Sequence, residues 1–294
     1  MTTRSPRRRV AVVGYASVDR AITIGTPLRP GHTAIVTGRN PGLVNSNVWS
    51  TIAGEPGGIG YTATALANRG VETHAITWVG DDPAGGAYVD RLLGAGVVVD
   101  GIDVDGPTSP SSLLVYDPDG VCTCLFDPGS GTTHQLTPQQ REILDESTHV
   151  VLMIAPADVT AEVLELIEDR HLTFVMKADE QAQPEGTCAA AVQRASLVFC
   201  NHVERALIES LLHAGQSVVT TAGAGSVRVE QDEASTLIEN REVLERVTDL
   251  TGAGDTLAGA CLASMLAGNP IEESVRAGMA AATDLLQSRP IPPG

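Results

Sequence analysis

The chain of 294 residues carries 36 acidic against 19 basic side chains, a formal charge of −17. Such a charge is repelled by phosphate backbones and anionic membrane surfaces, which argues against nucleic-acid and membrane partners. At 43% hydrophobic, the chain is globular and long enough for one large α/β domain or two small ones. Four arginines (Arg4, Arg7, Arg8, Arg9) crowd the first nine positions. Residues 1–8 therefore read as a solvated, flexible tail. The five cysteines form no even framework and no metal-ligand spacing, and read as reduced thiols. With no long apolar run and no apolar core after the arginines, the expectation is a soluble cytoplasmic protein.

From Arg9 onward, short apolar runs alternate with helical patterns. Arg9–Gly14 predicts a buried strand, Ile59–Arg69 a helix and Thr73–Val79 a strand. Pro83–Leu93 is helical, with Asp82 as cap and Pro83 in the first turn. Thr137-Pro138-Gln139-Gln140 is a helix start of the capping-box kind. Val150–Ile154, Leu172–Met176, Leu197–Cys200 and Val218–Thr221 are β-rich, with helical patterns over Thr160–Arg170 and Val203–His213. Strands spaced by helices of this length predict a mainly parallel sheet. Two β-rich segments, about 20–56 and 97–127, break the rhythm and predict a small separate sheet or lid. The second contains a hairpin around Asp117-Pro118-Asp119-Gly120. Alanine-rich helices over Asp255–Ala267 and Ile271–Ser288 close the chain.

Phosphate chemistry is the first to test in such a fold. A P-loop needs a lysine after its glycines, and the chain's one lysine, Lys177, follows no such loop. The Rossmann pattern also fails, because Gly14-Tyr15-Ala16-Ser17 lacks the later glycines. The strongest feature is Asp249-Leu250-Thr251-Gly252-Ala253-Gly254-Asp255-Thr256, running into a helix. Small residues at Gly252, Ala253 and Gly254 let backbone N–H groups converge as an anion hole. Asp255 is placed to accept a proton from an attacking hydroxyl. A glycine turn with Asp255 as a helix cap is the alternative.

Other pieces are weaker taken singly. Gly57-Gly58-Ile59-Gly60 opens a helix, and Asp19 follows the first strand, where its carboxylate can accept from vicinal hydroxyls; tight turns would also explain both. Asn201 and Glu204, three apart at a helix start, form either a phosphate-side pair or a plain capping box. Thr221-Ala222-Gly223-Ala224-Gly225 follows a strand and leaves room for a nucleotide or is simply a loop. Lys177 ends a strand at the edge where α/β sites collect, to contact ATP phosphate or the acceptor, or to pair with Asp179 or Glu180. Tyr15, Trp49 and Tyr61 border the same region and could stack on a nucleobase or pack the lid.

In order and spacing, these motifs together with Val79-Gly80-Asp81-Asp82 resemble the ribokinase-like (PfkB-type) carbohydrate and nucleoside kinases over roughly residues 9–290. The resemblance implies a three-layer α/β/α domain with a mainly parallel central sheet and a small β-sheet lid that often also forms a dimer contact. It implies Mg²⁺-dependent transfer of the ATP γ-phosphate to a hydroxymethyl group of an unphosphorylated sugar or a nucleoside. Carried over, Asp255 is the base, with Gly252, Ala253 and Gly254 as anion hole. Asp19, Gly57, Gly58 and Thr62 face the acceptor. Asn201 and Glu204 organise Mg²⁺ and phosphate through water, and Thr221, Gly223 and Gly225 border the nucleotide. Asp249 and Thr251 resemble positions that join a K⁺-type monovalent-cation site in some members.

Three departures bear on the acceptor. Thr62 stands where the family often has asparagine, and Ala155-Pro156 where ribose-specific members carry glutamate. Cys200 replaces the lysine that precedes the asparagine in several phosphosugar kinases. These point away from ribose itself and from a phosphorylated acceptor, with a phosphosugar kinase of the same family and a catalytically silent ligand-binding relative as the alternatives.

Overall fold

The run Arg9-Val10-Ala11-Val12-Val13 is apolar beyond its arginine, the pattern of a strand covered on both faces. In the computed structural model it is β1 (Arg9–Val13), followed by β2 (Ala16–Ile24), β3 (Val36–Arg39) and β4 (Glu55–Gly58). Next come helix α1 (Gly60–Ala67), β5 (Glu72–Val79), α2 (Pro83–Gly94), β6 (Val98–Val104), β7 (Ser111–Tyr116) and β8 (Cys122–Asp127). The middle holds α3 (Pro138–Glu146), β9 (His149–Leu152), α4 (Ala157–Leu166), β10 (His171–Val175), α5 (Glu185–Arg194) and β11 (Leu197–Asn201). The last third holds α6 (His202–Ile208), β12 (Ser217–Thr221), β13 (Val227–Gln231), β14 (Ala234–Ile238), α7 (Ala253–Leu266) and α8 (Ile271–Gln287). The structure describes residues 8–39, 54–130, 135–167, 171–177, 185–223, 225–231, 234–240, 244, 247 and 249–289. The arginine tail before Arg8, Trp49, Asp179, Glu180 and Ala224 lie outside the described residues.

Among the described residues, nine strands form the larger sheet in the order β14-β13-β12-β11-β10-β9-β1-β5-β6. The strands from β12 to β6 in that order are parallel to their neighbours, and β13 and β14 add an antiparallel edge. Alternation along β1 divides the core. Val10 and Val12 pack with residues of α1, α2, α7 and α8, such as Leu66, Leu92, Leu257 and Val275. Ala11 and Val13 pack with residues of α3 to α6, such as Ile143, Val159, Ala191 and Ile208. These two buried faces are what make the expected α/β/α sandwich.

The smaller sheet runs β3-β2-β7-β8, with β4 also on β2. The expected hairpin is present: β7 and β8 pair antiparallel, and the turn between them closes with Gly120 N–H donating to Asp117 O at 3.0 Å. The lid boundaries shift in two places. β6 pairs with β5 in the larger sheet, so the second segment reaches the small sheet only at Ser111, and β2 enters it already at Ala16. Helix α5 and the β13–β14 hairpin were not expected from the sequence. The Val79-Gly80-Asp81-Asp82 motif joins the two sheets: Asp82 caps α2 by accepting from Gly85 N–H at 2.7 Å. It also accepts from the Ser109 hydroxyl at 2.6 Å, just ahead of β7.

Candidate active site

Parallel strands gather their carboxyl ends on one sheet edge, and β1 stands where the strand order reverses. Asp19 lies on β2 just past that edge. The Ser17 hydroxyl donates to Asp19 Oδ1 at 2.7 Å and shares a second 2.7 Å contact with the Ser112 hydroxyl. Strand β4 pairs antiparallel beside β2, and a Cβ on Gly57 would lie 2.0 Å from the Asp19 carboxyl carbon, so only glycine permits this approach. Gly58 turns the chain beside Tyr15 O into α1. Burial pushes the Asp19 carboxyl up to about 6, although Ser17 and Lys177 pull it down.

Gly252, at φ +74°, starts α7 in the left-handed region, which favours glycine. Gly252, as N-cap, offers no side chain to cap this 14-residue helix. The space over Gly254 is open, with nothing within 4 Å of a Cβ there. Asp255, in the first turn, has a side chain only 6% exposed and lies against Lys177, whose Nζ is 2.6 Å from Oδ1 and 2.7 Å from Oδ2. Burial alone would lower the Lys177 ammonium, but Asp255, Glu204 and Asp19 around it outweigh burial and raise it. Lys177 therefore pairs with the candidate base, while Asp179 and Glu180, the sequence neighbours considered for it, lie outside the described residues.

The ends of β10, β11 and β12 bring Lys177, Asn201 and Thr221 side by side, with Asn201 opposite Thr221 in register. Asn201 and Glu204 form the capping box of α6. Asn201 Oδ1 accepts from the N–H groups of Val203 (2.8 Å) and Glu204 (2.9 Å), and Glu204 Oε2 accepts from Asn201 N–H at 2.7 Å. Gly223 (φ +64°) and Gly225 lie in the exposed loop after β12.

Three expectations change. Thr62 faces inward, 1% exposed. Its hydroxyl donates to the backbone carbonyl of Asp255 at 3.1 Å, tying α1 to α7. Tyr61 is buried under Gly252, its ring 2.4 Å from where a Cβ there would sit, so it does not offer a stacking face. Asp249 and Thr251 do not present a cation cage: the Arg289 guanidinium, just past α8, donates to Asp249 O at 2.5 Å and Thr251 O at 2.6 Å. Sequence reading missed Arg289, Ser17 and Ser112. A lone arginine after the last helix and two serines on strands carry no local signal.

The pattern of the pfkB family carbohydrate kinases matches residues 43–289. Over 247 residues the chain is 24% identical to a cytidine kinase of Thermococcus kodakarensis, covering 79% of this chain and 88% of that one. Over 282 residues it is 24% identical to a ribokinase of Bacillus subtilis, covering 92% and 89%. The structure superposes on a ribokinase of Cryptococcus neoformans in complex with ADP at a TM-score of 0.79 and 18% identity, covering 96% and 94%. With the family pattern spanning the glycine pair, the capped α6 and the α7 start, the chain belongs to the pfkB family of carbohydrate kinases and is a phosphotransferase with an alcohol acceptor.

Proposed function

We propose that the protein transfers the γ-phosphate of ATP to a hydroxymethyl group of an unphosphorylated sugar or a nucleoside, with Asp255 as base. The observation that carries this reading is the start of α7, where an uncapped helix end, open space over Gly254 and the Asp255 carboxylate coincide. Backbone N–H groups of Gly252 and Gly254 face developing phosphate charge, which the helix dipole favours; the Ala253 N–H, expected to join them, donates instead to Leu250 O at 3.2 Å. Asp255 takes the proton of the attacking hydroxyl. Asp19 accepts from acceptor hydroxyls beside Gly57 and Gly58 of the neighbouring β4.

ATP lies along the row Lys177, Asn201, Thr221, Gly223 and Gly225, the ends of three neighbouring strands. The donor set suits Mg²⁺ carried by the nucleotide. Glu204 offers one buried carboxylate, and among the described residues no group of three or more His, Cys, Asp or Glu is arranged to hold a metal. Such an ion favours phosphate oxygens and water with one or two carboxylates, so Glu204, fixed by Asn201, reaches it through water. When bound, it neutralises phosphate charge.

Tyr15 and Phe126 meet edge to face, with centroids 5.2 Å apart, joining the β1 end to the small sheet beside Gly58. This aromatic corner suits the flat face of a base or the apolar face of a sugar ring. Ile35, Val121 and Leu125 expose 57–68% of their surface on or beside the small sheet, which supports a second copy covering it. ATP as co-substrate and five cysteines that stand outside any disulfide support a cytoplasmic location.

The test is ATP turnover across free sugars, nucleosides and phosphosugars. Turnover with a member of the first two classes is expected. Turnover confined to phosphosugars, or none with any class, overturns the reading.

A further inference from the structure

Asp249 is buried, and its Oδ1 accepts from Thr251 N–H at 2.9 Å. Its carbonyl and that of Thr251 converge on one point, where two backbone oxygens beside a buried carboxylate demand a positive charge. Arg289 supplies it. Nη1 donates to Asp249 O and stands 3.2 Å from Asp249 Oδ1. Nη2 donates to Thr251 O and, at 3.1 Å, to the Tyr61 hydroxyl, whose ring lies under Gly252. The guanidinium side chain is 12% exposed and carries a permanent charge.

We infer that Arg289 is a tethered replacement for a monovalent cation, so that this enzyme, unlike a cation-activated one, works without K⁺. The residues do not fit a free ion at those carbonyls. Two like unit charges about 4 Å apart repel enough to weaken binding roughly 10³-fold at an effective dielectric of about 20. Asp249 Oδ2 is buried without a hydrogen-bond partner among the described residues, and the guanidinium 3.2 Å from Oδ1 is the charge that balances this carboxylate.

Arg289 acts by position. A trans peptide points its C=O and N–H in opposite directions. Anchoring Thr251 O to the guanidinium therefore directs the Gly252 N–H away from Arg289, in the plane that opens the anion hole. Tyr61, held by the same guanidinium, supports Gly252 from beneath.

This inference rests on the kinase reading for its activity arm but not for its stability arm. The full chain is compared in KCl and in tetramethylammonium chloride at equal ionic strength, by ATP turnover and by Tm without substrates. Wild type is expected to be indifferent to K⁺ in both. R289A is expected to lose roughly 10–100-fold in rate and to melt lower in tetramethylammonium. K⁺ or low concentrations of guanidinium should restore both in part. If R289A fails to fold, R289Q, which keeps hydrogen-bond donors without the charge, carries the same comparison. K⁺ stimulation or stabilisation of wild type overturns the inference. So does a variant whose defects are the same in every cation, or one that needs no cation at all. Absence of turnover in every salt speaks against the kinase reading, and the Tm comparison still decides the cation question.

Discussion

Lys177 Nζ lies within 2.7 Å of both carboxylate oxygens of Asp255, 78 residues away in the chain, and is thereby the partner of the candidate base. Its charge is also felt at Asp19 and Glu204. One ammonium thus balances three carboxylates contributed by β2, α6 and α7. Three N–H donors let it keep one Asp255 oxygen while turning another donor to an arriving phosphoryl oxygen. The second Asp255 oxygen is then open to the acceptor hydroxyl.

Lys177→Met should therefore act on ATP more than on folding. A charge-assisted hydrogen bond is worth about 1.5–3 kcal/mol, so kcat/KM for ATP should fall roughly 10–100-fold. Loss of the positive charge also removes a pull on Asp19, and the acid limb of the pH profile should move upward. Unchanged kinetics with a lowered Tm would reduce the pair to a structural role.

What the sequence showed of this arrangement follows from range. The apolar runs at Val10–Val13 and Val150–Leu152 and the caps at Asp82 and Thr137 are local, and they form as expected. Asp255, Gly252 and Gly57-Gly58 were legible because chain-local chemistry gave them a motif. What the sequence could not decide for Thr62 and Tyr61 is settled by α1 packing on α7 across nearly two hundred residues, a contact that turns both inward. Lys177 found its partner, and Arg289 its carbonyls, through the same long-range packing. No spacing in the sequence announces either.

Gly254 separates function from conformation. Its backbone does not need glycine, and a Cβ there would touch nothing among the described residues. Alanine at such a helical position is usually favoured, by up to about 1 kcal/mol. Gly254→Ala should therefore leave Tm unchanged or raise it. If phosphate approaches this backbone closely, the added methyl should lower kcat/KM for ATP by more than about tenfold, or 1.4 kcal/mol. Wild-type activity in this variant would remove Gly254 from the anion hole.

Asp19 sets the pH response. Its carboxyl titrates near about 6, raised by burial from 3.8. Below that value it is protonated and loses its capacity to accept from two hydroxyls. The acceptor kcat/KM should fall on an acid limb with an apparent pKa of about 6. The stability sign is opposite to that of a salt-bridged aspartate. The ionised form is disfavoured in the native state, so the cost is absent below 3.8 and full above about 6. Asp19→Asn should erase the limb and melt higher than wild type at neutral pH, with the gap closing as pH falls toward 3.8. A pH profile for Asp19→Asn that keeps the limb would assign it to another group.

Asp255→Asn tests the chemistry itself. A primary hydroxyl attacks poorly until a base takes its proton, and a positioned base contributes roughly 10²–10⁴-fold. Asparagine is nearly isosteric, and its carbonyl oxygen can still accept from Lys177 Nζ. The backbone carbonyl of residue 255 keeps its bond from Thr62, so α1 and α7 stay joined. Folding and ATP affinity should survive, while kcat falls by about 10²–10⁴-fold. The released share of the Lys177 charge remains balanced by Glu204 and Asp19, so no unpaired cation is left in the site. Double substitution with Lys177→Met should then cost little more in kcat than Asp255→Asn alone, because the pair acts as a unit. A single variant that keeps more than about a tenth of wild-type kcat would take the base role from Asp255. The two remaining carboxylates facing Lys177, Asp19 and Glu204, would be the next to substitute.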